Sequence, residues 1–347
     1  MNRRSARLLL PVLLAIGLAL PAAAQDDLGT AISKAITAAV NSSVNSSVMW
    51  ATNFAVKTAM NNVMESVSRS MEFWDDDVQG PECPDGSHTN FGDDLRTYSA
   101  VEQKTLPATI GSISVHGAHN GGVSVRGWDR NEIQVTACKY AGAGNDAEGQ
   151  QRLAAIQMQI SGGDISATGP DEEDRQHWTV HILVQAPKST AMRLEAYNGP
   201  MSIRETGSDV EAHTVNGPLS IKLASGTVHA TTQNGPLTIS DCSGNINATA
   251  QNGPLTVSLN DKEWRGQGLE ASTRNGPLTV KVPEGYLTGV DILASGHGPF
   301  SCSLRDCENV QSSKPWDNEK HVHLGSGNTL VKVSTVNGPV QIGSSME

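Results

Sequence analysis

Two histidines at alternate positions, His321 and His323, come nearest to a metal-binding spacing. On a strand, alternate side chains share a face, so both imidazoles could chelate zinc if His297 approached as a third ligand. No cysteine or carboxylate stands at a matching interval, and His213 and His229 fall in different columns. No metal and no other cofactor is therefore expected. A second chemistry would be cleavage of acidic polysaccharide by Asp, Lys and Arg gathered on one wall. Asp209, Asp241 and Asp261 do not fall in one column with basic partners, and outward positions hold Ser, Thr, Gln and Asn instead. The G-x-S-x-G elbow, the phosphate-binding loop and the dinucleotide fingerprint are missing as well. The expectation is a protein that is not an enzyme, with no catalytic residue assigned. A third possibility is recognition without chemistry. Trp264 and Trp316 stand in stretches that read as loops and are the candidate partner contacts. Trp264 reads first as packing against the coil edge. Trp316, between Pro315 and Asp317, could be an exposed indole that stacks on a sugar or anchors a partner, with self-packing of its loop as the alternative.

The elements that would position these residues are announced by a repeat. Asn198-Gly199, Asn216-Gly217, Asn234-Gly235, Asn252-Gly253, Asn275-Gly276 and Asn337-Gly338 are each followed by proline, and the first four copies lie 18 residues apart. Within one unit Leu219, Ile221 and Leu223 alternate, Ser225-Gly226 turns, and Val228 and Ala230 alternate back toward Asn234. A period of two means strands. Asn and Gly tolerate positive φ, and Pro presets an extended backbone at the start of the next strand, where it has no ladder bond to lose. One such unit buries five or six modest aliphatic side chains, at about 1.5–3 kcal/mol for the larger ones. Ordering its residues costs roughly 1–2 kcal/mol apiece, so units must stack on one another. The reading is an all-β β-solenoid, a parallel β-helix of about 18-residue two-strand coils. Its turns would place the six Asn in a column, each amide able to bond the next. On this reading Gly235→Val destabilises through positive φ at the turn.

Three segments carry a family likeness: V-H-I-L-V-Q-A-P-K-S-T-A-M-R-L-E-A-Y-N-G-P, W-R-G-Q-G-L-E-A-S-T-R-N-G-P-L-T-V-K-V-P-E-G-Y and S-T-V-N-G-P-V-Q-I. With the repeats between them, they resemble the bacterial "putative adhesin" β-strand-repeat domains of unknown function, from about Ser112 to the C-terminus. The resemblance implies a right-handed β-helix and supplies no catalytic residues.

Residues 1–24 read as a secretory signal peptide, with Arg3, Arg4 and Arg7 before the apolar Leu8 to Leu20 and then Ala22-Ala23-Ala24. Residues 25–74 form an Ala/Ser/Asn-rich helical arm, with apolar residues at Leu28, Ile32, Ile36, Val40, Val44 and Val48. Steps of four wind that stripe around the helix, which suits an arm lying across a surface, capping the coils or self-associating. Residues 75–94, with Asp75-Asp76-Asp77, Gly80-Pro81 and Asp85-Gly86, form a linker. The β-solenoid then fills 95–347, with irregular first coils over 95–195, a short helix from Asp146 to Ile156, and the N-G-P repeats over 196–347. Beyond Asn252 the period loosens, and extra loops carry Trp264 and Trp316.

Five cysteines leave at least one without an intramolecular partner. A four-residue spacer beside a strand end favours Cys302 with Cys307, Cys83 and Cys138 are a candidate staple, and Cys242 reads as a buried free thiol. The 36 acidic residues outnumber 25 basic ones, for a formal charge of −11. That balance disfavours nucleic acid and anionic membrane surfaces as partners. No stretch after the signal reaches the roughly 20 apolar residues of a membrane span. The expectation is an exported protein, periplasmic first and cell-surface or secreted second. It would act as an envelope scaffold or binding surface for an unidentified protein or glycan. An adhesin working through its late loops is the alternative, and a polysaccharide-degrading enzyme a remote one.

Overall fold

A computed structural model describes Cys83, Thr89, Phe91, Gly92 and residues 94–345, apart from His119, 171–176, 296–297, Asp306 and 308–319. The signal peptide, the helical arm, most of the linker, Trp316 and His297 lie outside the described residues.

Among the described residues the order opens with β1 (Arg96–Pro107), β2 (Ser112–His116), β3 (Val123–Trp128) and β4 (Glu132–Ala143), followed by helix α1 (Asp146–Ala155). Asn145 caps α1 by accepting the Glu148 N–H, with Asp146 and Glu148 in its first turn. Next come β5 (Gln157–Ser161), β6 (Asp164–Thr168) and β7 (Trp178–Pro187). The repeats supply β8 (Ala191–Asn198), β9 (Met201–Arg204), β10 (Val210–Asn216), β11 (Leu219–Lys222) and β12 (Thr227–Asn234). They continue through β13 (Leu237–Ser240), β14 (Asn245–Asn252), β15 (Leu255–Ser258), β16 (Gly268–Asn275) and β17 (Leu278–Val282). The last strands are β18 (Gly289–Ala294), β19 (Phe300–Cys302), β20 (Lys320–Leu324), β21 (Thr329–Asn337) and β22 (Val340–Ser344).

These strands form two open sheets of 11 strands each, among the described residues. The first runs β1-β4-β7-β3-β9-β11-β13-β15-β17-β22-β19, and the second β20-β18-β21-β16-β14-β12-β10-β8-β2-β6-β5. Both are mixed, because β1 with β4, β4 with β7, β5 with β6 and β18 with β20 pair antiparallel. This corrects the expected fold class: the chain does not build a right-handed parallel β-helix or β-solenoid over 95–347. Residues 95–195 lack the 18-residue period, and their long strands β1, β4 and β7 return on one another as antiparallel neighbours. Late in the chain β20 folds back on β18. The helix expected ahead of the β region lies outside the described residues, and the helix that is described, α1, follows β4 instead.

Between these ends, each repeat unit adds one strand to each sheet, paired parallel to its neighbours and, from β8 to β15, 18 residues from them. Leu219 lies between Met201 and Leu237, and Val228 between Val210 and Ile246. Inward side chains from the two sheets form one core, with Leu219, Ile221, Val228, Leu237 and Ile239 at 0–1 % exposure. Each contributes about 1.5–3 kcal/mol.

Candidate functional site

The N-G-P turns bond to one another along the stack through their main chains. The Asn carbonyl accepts from the glycine N–H of the preceding unit, as in Gly217 N to Asn234 O at 3.0 Å and Gly235 N to Asn252 O at 2.9 Å. The Pro carbonyl accepts from the residue opening the neighbouring strand, as in Leu219 N to Pro236 O at 2.9 Å. In three of the turns the Gly carbonyl accepts from a buried threonine: Thr273 to Gly253 at 2.8 Å, Thr335 to Gly276 at 2.9 Å and Thr232 to Gly217 at 3.3 Å. Proline sits where the turn has no partner for an N–H, so its missing donor leaves nothing unsatisfied.

The asparagine side chains form a directed ladder. Asn216 Nδ2 donates to Asn198 Oδ1 at 2.8 Å, Asn234 to Asn216 at 2.9 Å and Asn252 to Asn234 at 3.0 Å. Asn275 then donates to Asn252, and Asn337 to Asn275, both at 2.9 Å. A seventh rung escaped the sequence reading: Asn198 donates to Asn120 Oδ1 at 3.1 Å. Its signal was Asn120-Gly121, which Gly122 follows in place of proline.

The role of the turn glycines also needs correcting. Gly199, Gly217, Gly235, Gly276 and Gly338 are not at positive φ, whereas Gly253 is, at 153°. What they share is a lack of room: a Cβ on Gly235 would overlap the carbonyl oxygen of Gly217, and one on Gly217 that of Gly199. The left-handed corner lies instead at Glu205, Leu223 and Asp241, with φ of 56°, 56° and 54°. These three are also 18 residues apart, so the period contained that signal.

The outer wall of the second sheet is an ordered polar surface. One column holds Arg193, Glu211, His229, Asn247, Glu270 and Lys332, and the next holds Glu195, His213, Thr231, Thr249, Ser272 and Ser334. Most of these are exposed, and several bond across strands. Arg193 donates to Glu211 at 2.8 Å and to Glu195 at 3.1 Å, and His213 meets Thr231 at 2.7 Å. Glu195 also meets His116 at 3.1 Å, whose other nitrogen lies 3.4 Å from Asp164. Partial burial works to raise the Glu195 carboxyl, but Arg193 and His116 together hold it below the usual range.

At the far edge of this wall, His321 and His323 do share a face, and what they meet is Asp291, at 3.4 and 2.6 Å. Burial tends to raise Asp291, and the two histidines outweigh it and lower its pKa. Among the described residues, no three His, Cys, Asp or Glu are placed to hold a metal ion. Trp264 belongs to the main core, and its indole N–H donates to the Gly244 carbonyl at 3.1 Å. That removes it from partner contact.

Two disulfides are present, Cys83–Cys138 and Cys302–Cys307, while Cys242 is free. Burial pushes the Cys242 thiol up to about 12, leaving almost no nucleophilic thiolate at neutral pH. An open hollow of about 330 Å³ borders Cys302–Cys307. Its ionisable side chain, Arg305, lies 3.8 Å from Glu284. A lone guanidinium there provides no acid and base pair.

No protein-family model matches the chain, and no curated protein matches it in sequence. Among solved structures it is similar to one named a "putative cell adhesion protein" from Clostridium sporogenes, at 10% identity and a TM-score of 0.31, covering 71% of this chain and 100% of that one. A "putative adhesin" from Bacteroides fragilis is similar at 11% identity and a TM-score of 0.28, covering 71% and 97%. A "putative lipid binding protein" from Parabacteroides distasonis is similar at 10% and 0.26, covering 70% and 96%. None of these likenesses transfers a residue or an activity. The fold and site define an all-β protein of two facing repeat sheets, and among its described residues no helix is long and apolar enough to cross a membrane.

Proposed function

We propose that the protein is an exported, non-enzymatic scaffold or binding module of the bacterial cell envelope, and that its working surface is the outer wall of the second sheet. The supporting observation is the register of that wall. Polar groups recur at the strand spacing of about 4.8 Å and are held by cross-strand bonds such as Arg193 to Glu211 and His213 to Thr231. Such a surface offers many weak, pre-ordered hydrogen bonds to a protein edge or a glycan. The two disulfides support an oxidising compartment.

The test is binding of purified envelope glycan and of solubilised envelope proteins by the mature chain and by Thr231→Arg/Thr249→Arg. Loss of a saturable interaction in the variant, with its circular dichroism intact, is expected. Equal binding by both chains would move the surface elsewhere. Release of products from a panel of acidic polysaccharides would overturn the non-enzymatic reading.

A further inference from the structure

The outward faces of the two sheets are treated differently. On the second, Arg193, His213, Thr231, Asn247, Thr249 and Arg274 are exposed. On the first, the outward row Ser124, Ser202, Ser220, Thr238, Thr256 and Thr279, in register from β3 to β17, contains no exposed residue. Ser124, Thr256 and Ser202 are 1%, 6% and 8% exposed although they point away from the core. The hydroxyls of Ser124 and Thr238 are buried with no hydrogen-bond partner among the described residues. Pro254 and Pro277 on the same face are buried too. Arg126, Arg204, Lys222 and Thr256 are each engaged by contacts beyond those described above. Where β4 and β7 continue this face, a second small core forms from Cys138, Tyr140 and Leu183, packed by Cys83 and Phe91.

The geometry points to residues 25–82 of this same chain as the cover of the first sheet's outer face, fastened at one end by the Cys83–Cys138 disulfide. The tether places the end of that segment on β4. Its length is sufficient: as a helix rising about 1.5 Å per residue, Asp27 to Trp74 would span about 72 Å. Eleven strands at about 4.8 Å span about 48 Å. The charges match. Arg126, Arg204 and Lys222 are successive partners in one outward column. Arg126 and Arg204 share the one carboxylate of Glu205, at 2.9 and 3.2 Å, so the column keeps a net positive charge, and Glu72, Asp75, Asp76 and Asp77 lie shortly before Cys83. A face of Ser, Thr and Pro is shallow, and an Ala- and Ser-rich segment with a winding apolar stripe can lie against it closely. This inference concerns the opposite wall from the one assigned to binding and stands or falls separately from that role.

The experiment is short-range amine cross-linking of the full mature chain, with isotopically mixed copies to separate links within a chain from links between chains. Links within one chain from Lys34 or Lys57 to Lys222 or Lys281 are expected. Links confined to Lys332 on the second sheet, links found solely between copies, or none to Lys222 and Lys281 would overturn the inference. A second measurement uses Ser220→Arg/Thr238→Arg, with the β signal checked by circular dichroism. Trypsin cleavage after Lys57 should accelerate by about tenfold or more, the signature of local release. Thr231→Arg on the other wall should leave it unchanged. Equal cleavage in both variants would also overturn the inference.

Discussion

At the scale of single residues, the Asn ladder and His181 make opposite demands. Asn234 is a middle rung that both donates and accepts. Asn234→Ala should cost about 1–2 kcal/mol, one modest net hydrogen bond together with a neighbour left short of a partner. Asn234→Asp should cost more, because a carboxylate cannot donate to Asn216 Oδ1 and would face it with like charge. Chemical denaturation of the two variants at pH 7 tests the order. His181 Nδ1 accepts the Gly122 N–H at 3.1 Å, and Tyr140 packs edge-on against the ring at 5.8 Å. Burial lowers its pKa to about 4. Part of the residue still reaches the surface, so the stronger reason is geometric: protonating Nδ1 would set two donors face to face. The unfolded imidazole binds its proton near pH 6.5. Stability from neutral His181 is therefore complete above that pH and is lost as pH falls through 6.5 toward 4, by at most about 3 kcal/mol. Glu102 acts lower. Burial tends to raise it, but Lys139, Lys104 and the Met158 N–H bring it to about 2, so its share is lost between about pH 4.5 and 2. Melting curves of His181→Gln should fall less than wild type between pH 7 and 4.5, with matching slopes below 4 contradicting nothing in this assignment and matching slopes above 4.5 refuting it.

At the scale of the elements, the 18-residue unit was legible and the architecture of the ends was not. Alternation at Leu219, Ile221, Val228 and Ala230 and the recurrent Asn-Gly-Pro were enough to derive two strands per unit and a column of amides. Two things escaped: the antiparallel pairing of β1, β4 and β7, and the packing of Cys83 and Phe91 over Leu183. The reason is that sequence periodicity reports which side chains share a face, while strand direction outside a repeat depends on chain return paths that periodicity does not encode. At the turns the glycine is required for a different physical reason from the expected one. Gly235→Val should still destabilise by several kcal/mol, but through overlap with the Gly217 backbone rather than through φ. Gly144→Ala, where a Cβ has room, should stay within about 0.5 kcal/mol in the same urea titration. The true left-handed corner suggests a gain. Leu223 is 40% exposed at φ 56°, and Leu223→Asn should stabilise the fold by up to about 1 kcal/mol and so raise the urea midpoint, since Asn tolerates that conformation. A lower midpoint would show that the leucine side chain outweighs the backbone strain.

For the whole molecule, one disulfide joins segments 55 residues apart, and the other closes a span of 5. Chain-entropy arguments give the longer closure about 4 kcal/mol. Cys83→Ser/Cys138→Ser should therefore lower the melting temperature far more than Cys302→Ser/Cys307→Ser, and the difference should vanish in strong reductant. Equal losses would mean that the segment around Cys83 holds its place on β4 without the covalent bond.

The sameness of the rungs carries a hazard for the folding chain. Asn216 would bond Asn252 as readily as it bonds Asn234, so the amide column by itself cannot count, and a skipped unit would go undetected there. Counting has to come from features that occur once: the antiparallel start at β1 and β4, the charged match of Arg193 with Glu211, and the reversal at β20. Such unrepeated marks work as addresses on an otherwise uniform track, and weakening them should yield miscounted but still well-bonded stacks.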